Sequence, residues 1–165
     1  IARKGVDLLL EAFSRIDQSR LLLVGREAEL PGLLAALSAD VRKRIEYAGF
    51  QPPEKLPQLF ARADVFVLPS RYDGWGVVVN QALGAGLPII CSDAVGAAHD
   101  LVDDEVNGMK FPCGDVVALT RIMRRLIEQP ELIDRWGQAS RAKAPAWRPD
   151  AGAAKWIAAF GEVLA

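Results

Sequence analysis

The sequence has few residues that could form disulfides or ligate metals. Among its 165 residues are two cysteines, Cys91 and Cys113, and one histidine, His99. Neither cysteine has a Cys or His partner at metal-ligand spacing, so we interpret both as reduced structural thiols. Reduced thiols favour a cytoplasmic protein, and no metal site is predicted. A lone histidine without a partner is a poor general base, so we expect His99 to be a structural or surface residue.

The sequence also lacks an excess of charge and long hydrophobic runs. It has 20 Lys and Arg residues against 21 Asp and Glu residues, a net charge of -1. This balance argues against nucleic acid or an anionic membrane as a general electrostatic partner, so any phosphate site must be local. No apolar run approaches the ~20 residues of a membrane-spanning helix. The start, IARKGVDLLL, has neither an initiator Met nor a signal-peptide cleavage site, which suggests a piece of a longer protein.

Short apolar runs alternate with helical periodicity along the chain. We predict strands at 21–24, 45–48, 65–68 and 88–92, with a short extended piece at 109–111. We predict helices at 6–16, 29–37, 54–62, 77–86, 97–102, 115–128, 131–143 and 150–164. This alternation predicts one α/β domain over residues 1–165, a Rossmann-like doubly wound parallel sheet with helices on both faces. Ligands of such folds bind beyond the carboxyl ends of the strands.

The last predicted helix has an apolar face formed by Trp156, Ile157, Phe160 and Leu164. This face either packs on its own domain, which is the simpler expectation, or crosses to another domain.

The stretch from Pro69 to Pro88, PSRYDGWGVVVNQALGAGLP, is the centre of the predicted ligand-binding edge. A buried strand ends before it, and a loop with two glycines, residues 73–76, leads into a helix that begins at Val77. Free amides and the positive end of the helix dipole suit phosphate or another anion at this position. On spacing alone, an ordinary strand-to-helix turn explains the pattern equally well.

Four segments in order carry a resemblance to a known family: RKGVDLLLEAF, IEYAGFQPPEKLPQLFARADVFVLPS, DGWGVVVNQALGAGLPII and VNGMKFPCGD. Together they resemble the carboxyl-terminal domain of GT-B glycosyltransferases of the GT4 type, also called group 1. The resemblance implies a retaining transferase that moves a sugar from a nucleotide-diphosphate sugar to an acceptor without a metal or an organic cofactor. It also implies two Rossmann-like domains, of which the carboxyl-terminal one holds the donor.

The resemblance assigns three side chains to the donor. Lys4 contacts the diphosphate, Asp73 faces the donor sugar as the catalytic residue, and Gln81 faces the ribose hydroxyls. The family usually has glutamate at both of the latter positions. Asp73 keeps the charge on a shorter side chain, whereas Gln81 keeps the length and loses the charge. Because neutral hydrogen bonds are weaker than charge-assisted ones, we predict weakened ribose binding at Gln81.

The same resemblance assigns further donor contacts to the loops. The backbone amides of Gly74, Trp75 and Gly76 meet the sugar and diphosphate, Val77 lines the pocket wall, and Gly49 and Phe50 border the nucleobase. Two alternatives stay open for the Trp75 side chain, a core or wall residue and a stacking partner. Arg26, near the same edge, is interpreted as a solvated charge.

The resemblance implies a first strand and an acceptor domain ahead of Arg3, which this sequence does not contain. We therefore expect residues 1–165 alone to be inactive. A sugar or lipid-linked acceptor, and any peripheral contact with the inner face of the membrane, would involve the other domain. Family likeness suggests a bacterial polysaccharide or lipopolysaccharide pathway. The alternative is a non-catalytic nucleotide-binding or interaction module with a degenerate site, an alternative that Gln81 favours; a GT-B epimerase or phosphorylase ranks lower.

Overall fold

A computed structural model of the protein describes residues 2–26 and 29–163. Its strands are β1 (Leu21–Leu23), β2 (Ile45–Tyr47), β3 (Phe66–Leu68), β4 (Ile89–Ser92) and β5 (Gly108–Phe111). All neighbouring strands are parallel, and each predicted strand is confirmed to within one or two residues. The sheet is divided, because β1 pairs with β2 while β3, β4 and β5 pair in that order, and no described strand joins the two parts.

Helices connect the strands and extend beyond the last one. They are α1 (Val6–Ser14), α2 (Leu30–Ala35), α3 (Ala39–Arg42), α4 (Leu56–Phe60), α5 (Val77–Ala85), α6 (Gly96–Leu101), α7 (Val116–Glu128), α8 (Glu131–Lys143) and α9 (Pro149–Val163). Short 3-10 turns cover Ala2–Lys4, Pro53–Lys55 and Ala144–Trp147. The α7 helix begins as its sequence predicts, since the Asp115 carboxylate accepts a hydrogen bond of 2.8 Å from the Ala118 amide.

The three-stranded part of the sheet is covered on both faces. Successive side chains of a strand point to opposite faces, and those of β4 alternate between two apolar clusters. Ile89 and Cys91 pack with residues of α5 and α6, such as Leu83, whereas Ile90 packs with residues of α7 and α8, such as Trp136. All of these side chains are buried. The predicted doubly wound arrangement is therefore confirmed.

The last helix, α9, does not pack as the sequence suggests. Trp156, Ile157 and Phe160 are 66%, 72% and 58% exposed, so the expectation that this face packs on its own domain is wrong for these residues. The Trp156 and Phe160 rings contact each other, with centroids 5.7 Å apart. Leu164, the fourth predicted member of this face, lies outside the described residues. No helix in the described ranges combines the length and hydropathy that a bilayer crossing needs.

Candidate functional site

The candidate site lies at the carboxyl end of β3, where the following loop meets the start of the chain. The Arg71 amide donates a 2.8 Å hydrogen bond to the Arg3 carbonyl oxygen. Gly5 has a φ of +65°, and a Cβ there would lie 2.0 Å from the Pro69 carbonyl oxygen. Only glycine fits this conformation and this close approach. The close packing at Gly5 holds Lys4, the preceding residue, beside the loop.

A bidentate ion pair reinforces this junction. The Arg71 guanidinium donates hydrogen bonds of 2.8 and 2.6 Å to the two carboxylate oxygens of Asp7, in the first turn of α1. The hydrogen bond from Arg71 is the largest cause that lowers the pKa of Asp7, and the same bond raises the pKa of Arg71. The pair fixes α1, and with it the position of Lys4, against the loop after β3. Sequence reasoning missed it, since 64 residues separate the two side chains.

Lys4 and Asp73, both predicted donor residues, form an ion pair in the structure. The Lys4 side chain is 41% exposed, whereas that of Asp73 is only 14% exposed. The carboxylate is therefore mostly enclosed, and the ammonium reaches it from the solvent side. A cation and an anion that the resemblance assigned to different parts of one ligand thus form an ion pair with each other.

The loop that carries Asp73 is fixed by the start of α6. The Gly96 amide donates to the Asp73 carbonyl oxygen at 3.0 Å, and the Ala97 amide donates to the Trp75 carbonyl oxygen at 2.7 Å. Gly96 permits this contact, because a Cβ there would lie 2.2 Å from the Gly74 carbonyl oxygen. Two carbonyl groups of the loop thus accept hydrogen bonds from the first residues of α6.

The amides that follow the loop begin a helix. Gly76 adopts a φ of +89°, which glycine adopts readily, and α5 begins at the next residue, Val77, which is 65% exposed. The first amides of a helix have no acceptor within it and form the positive end of its dipole. Asp73, the partner of Lys4, lies just before this end of α5 in the sequence. We call the region formed by Lys4, Asp73 and the start of α5 the corner. Its ammonium group and helix N-terminus suit a phosphate group.

Trp75 forms a half-exposed wall of this corner. Trp75 is 37% exposed, and its Nε1 donates a 2.8 Å hydrogen bond to the Asn80 side chain. Its ring centroid lies 6.1 Å from that of Trp147, which is equally exposed. Trp75 is therefore not a core residue. No local sequence pattern predicts that Trp147, much later in the chain, contacts Trp75.

Gln81 faces an apolar groove beside α5, one helical turn after Val77. The groove has a cavity volume of about 420 Å³ and separates α5 from the segment that includes the Pro53–Lys55 turn and α4. Its lining residues are Pro53, Leu56, Pro57, Phe60, Ala61, Gln81, Gly84 and Ala85. The Gln81 amide is thus a polar group at the edge of a largely apolar surface, which can accept a flat or partly apolar ligand.

Gly49 and Phe50 lie at the carboxyl end of β2. The Gly49 carbonyl oxygen accepts a 2.9 Å hydrogen bond from the Gly25 amide. Phe50 is 59% exposed, and the Arg26 guanidinium lies 4.5 Å from its ring centroid, within the range of a cation–π contact. Interpreting Arg26 as a solvated charge therefore missed a partner. The loop continues to Pro53, which connects it to the groove at Gln81.

The remaining polar candidates are His99 and the two cysteines. His99 is exposed, and its Nε2 lies 3.0 Å from the Asp93 carbonyl oxygen, as expected for a surface histidine. Cys91 and Cys113 are both free thiols. Burial, with a smaller effect of the Asp73 charge, raises the pKa of Cys91 to about 12. Within residues 2–26 and 29–163, no group of His, Cys, Asp and Glu side chains is arranged to hold a metal ion.

Comparison with known proteins relates this geometry to characterised chains. The sequence model of a family described as "Glycosyl transferases group 1" matches residues 1–143. The lipopolysaccharide glucosyltransferase WaaG of Escherichia coli (strain K12) is 28% identical over 151 residues, which cover 84% of this chain and 38% of WaaG.

Two solved structures share the fold. Sucrose-phosphate synthase from Thermosynechococcus elongatus matches with a TM-score of 0.86 and 28% identity, over 98% of this chain and 43% of that one. Anabaena HepE in complex with UDP-glucose matches with a TM-score of 0.78 and 26% identity, over 88% of this chain and 41% of that one. The chain therefore spans about two fifths of the length of each of these proteins.

Proposed function

This chain belongs to the glycosyl transferases group 1 family, and from that premise we propose that it is the donor-binding part of an enzyme of the GT4 type. Its fold is that of the carboxyl-terminal half of a GT-B glycosyltransferase. The proposed reaction moves a sugar from a nucleotide-diphosphate sugar to an acceptor. The observation that carries the proposal is the ion pair that places Lys4 beside Asp73, in the loop that leads directly into the N-terminus of α5.

Lys4 and the first amides of α5 would bind the diphosphate. Negative charge increases on this group as the sugar leaves, and fixed donors aimed at it stabilise the transition state. The ammonium contributes a compact positive charge, and the helix N-terminus contributes oriented amides. In the proposal these groups, and not a metal or an organic cofactor, stabilise the leaving diphosphate. The complex of HepE with UDP-glucose supports a donor of this chemical class.

Asp73 would act on the donor sugar as the catalytic residue. Its carboxylate accepts hydrogen bonds from sugar hydroxyls, and its 14% exposure favours strong bonds of this kind. The amides of Gly74, Trp75 and Gly76 would contact the sugar and diphosphate from the same loop, with Val77 at the wall.

The nucleoside would extend along α5 toward the groove at Gln81. A ribose hydroxyl can donate to the Gln81 carbonyl oxygen, and the apolar lining of the groove suits one face of a base. Gly49 and Phe50 would border the base on its other side. Without the usual carboxylate, we expect ribose to bind more weakly than in relatives with glutamate.

Several finer features of the proposal depend on the family resemblance. They are retention of the anomeric configuration, an acceptor bound through another domain, and a role in bacterial polysaccharide or lipopolysaccharide synthesis. The likeness to WaaG, a lipopolysaccharide glucosyltransferase, supports the last. The free thiols of Cys91 and Cys113 support a cytoplasmic location, at the inner face of the membrane if the other domain binds lipid.

Thermal unfolding of the purified chain with UDP, GDP and ADP tests the proposal. A nucleotide at 100 times its Kd stabilises a protein by about 2.7 kcal/mol. We expect one of the nucleotides to raise Tm, and Lys4→Ala to remove most of the rise at the same nucleotide concentration. Lys43→Ala is a matched control, because Lys43 forms an exposed ion pair with Asp40 elsewhere. If no nucleotide raises Tm, with Gln81→Glu as with the wild type, the proposal is wrong and the non-catalytic module is favoured.

A further inference from the structure

The ion pair between Lys4 and Asp73 bears on which ligands the site prefers. We propose that Asp73 determines specificity for a sugar-bearing donor over the bare nucleoside diphosphate, because its carboxylate competes with the diphosphate for Lys4. This inference rests on the proposed function. It adds a role that neither sugar binding by Asp73 nor diphosphate binding by Lys4 implies.

The two partners differ in how freely they can move. The Asp73 backbone is fixed at both ends, since its amide donates to the Ala94 carbonyl oxygen at 3.2 Å and its carbonyl oxygen accepts from Gly96 at 3.0 Å. Its side chain is 14% exposed. Lys4 carries its charge on a flexible four-carbon stem and is 41% exposed. When a diphosphate draws Lys4 away, the carboxylate therefore stays enclosed at the corner.

The neighbouring cations have acceptors of their own. Arg71 is bonded to the Asp7 carboxylate, and Arg3 donates to the Tyr72 carbonyl oxygen at 3.3 Å. Removing one partner of a partly buried ion pair leaves the other charge poorly compensated. A bare nucleoside diphosphate would then place further negative charge near the uncompensated Asp73 carboxylate. Binding of the bare nucleotide is thus opposed by Asp73.

A nucleotide sugar removes this opposition. Its sugar hydroxyls donate hydrogen bonds to the carboxylate and replace the ammonium as partners of Asp73. Lys4 is then free to bind the diphosphate. After transfer, the Asp73 carboxylate has lost the hydrogen bonds from the sugar hydroxyls. Asp73 then draws Lys4 away from the diphosphate again, which favours release of the nucleoside diphosphate.

Calorimetric titration of the purified chain with UDP, GDP and ADP, and with UDP-glucose, GDP-mannose and ADP-glucose, tests the inference. We expect Asp73→Asn to bind the bare nucleotide ~3- to 10-fold more tightly, the effect of an ion pair and a like charge in a partly exposed site. For the nucleotide sugars, Asp73→Asn should increase the affinity by a smaller factor or decrease it. Asp93→Asn is the control, because Asp93 is exposed at the same edge and accepts from the Cys113 amide.

A double-mutant cycle isolates the part played by Lys4. In a Lys4→Ala background, Asp73→Asn should tighten the Kd of the bare nucleotide by a smaller factor than in the wild type, because only the like-charge repulsion is then relieved. An undiminished gain in that background would refute competition for Lys4, as would unchanged or weaker binding of the bare nucleotide by Asp73→Asn. These results would leave the proposed function intact. If neither the wild type nor Asp73→Asn binds any nucleotide, the proposed function and this inference are both wrong.

Discussion

The ion pair between Asp7 and Arg71 gives a quantitative prediction about the junction that positions Lys4. Its two hydrogen bonds are short, at 2.8 and 2.6 Å, but the side chains are 38% and 36% exposed. Solvent screening limits the contribution of an exposed ion pair to the free energy of unfolding to roughly 0.2–1 kcal/mol, and bidentate geometry favours the upper end of this range. We therefore expect a coupling free energy of about 1 kcal/mol between Asp7→Asn and Arg71→Met.

Urea unfolding of the wild type, both single variants and the double variant measures this coupling. A change of 1 kcal/mol corresponds to about 2–4 °C in Tm for a domain of this size. The pair of Glu11, on α1, and Arg15, the residue after its end, is also exposed and is a matched control with an expected coupling of ~0.3–0.5 kcal/mol. A coupling between Asp7 and Arg71 below about 0.2 kcal/mol would refute the reasoning.

The pH dependence of the same variants gives a second test. The pKa of Asp7 in the folded protein is lowered from its ordinary value of 3.8. Folding then releases protons near this pH, so the pair's contribution is complete above the unfolded pKa and is lost as pH falls through the folded pKa. The stability difference between wild type and Asp7→Asn should be full at pH 6 and shrink below about pH 4. An equal difference at pH 6 and pH 3 would contradict this.

Gly5, the two cysteines and the isolated chain can each be tested separately. Gly5→Ala should destabilise the fold by ~2 kcal/mol or more, by left-handed strain and overlap with the Pro69 carbonyl, whereas Gly32→Ala, in open space, should be neutral or stabilising in the same unfolding assay. At pH 8, iodoacetamide should label exposed Cys113 and leave buried Cys91 unmodified until the protein unfolds; mass spectrometry that finds both labelled at equal rates would contradict this. Residues 1–165 alone should give no acceptor-dependent sugar transfer, and detectable product would disprove this expectation.

Local signals predicted the elements of the fold well. The apolar run at Ile89–Ser92 is buried on both faces as β4, and Asp115 caps α7 as its position indicates. The short helix α3 was missed, because its four residues are too few to show helical periodicity. The exposed face of α9 shows the limit of such reasoning. Periodicity identifies an apolar face but not the surface that covers it.

The candidate site was predicted in part. The family pattern identified Lys4 and Asp73, and the structure brings them together, although 69 residues separate them. The ion pair between them, and that between Asp7 and Arg71, depend on how the chain folds back on itself, which no local spacing records. For the same reason the sequence did not predict the contact of Trp75 with Trp147 or that of Arg26 with Phe50.

A crystal structure of the chain with the nucleoside diphosphate that stabilises it would show whether Lys4 and the start of α5 bind the diphosphate. We expect a phosphate oxygen within hydrogen-bond distance, about 2.7–3.2 Å, of the Lys4 ammonium and of an amide between Gly74 and Val77. We also expect that Lys4 no longer contacts Asp73. A diphosphate bound away from Lys4, for example in the pocket between Arg20 and Arg44, would contradict the account.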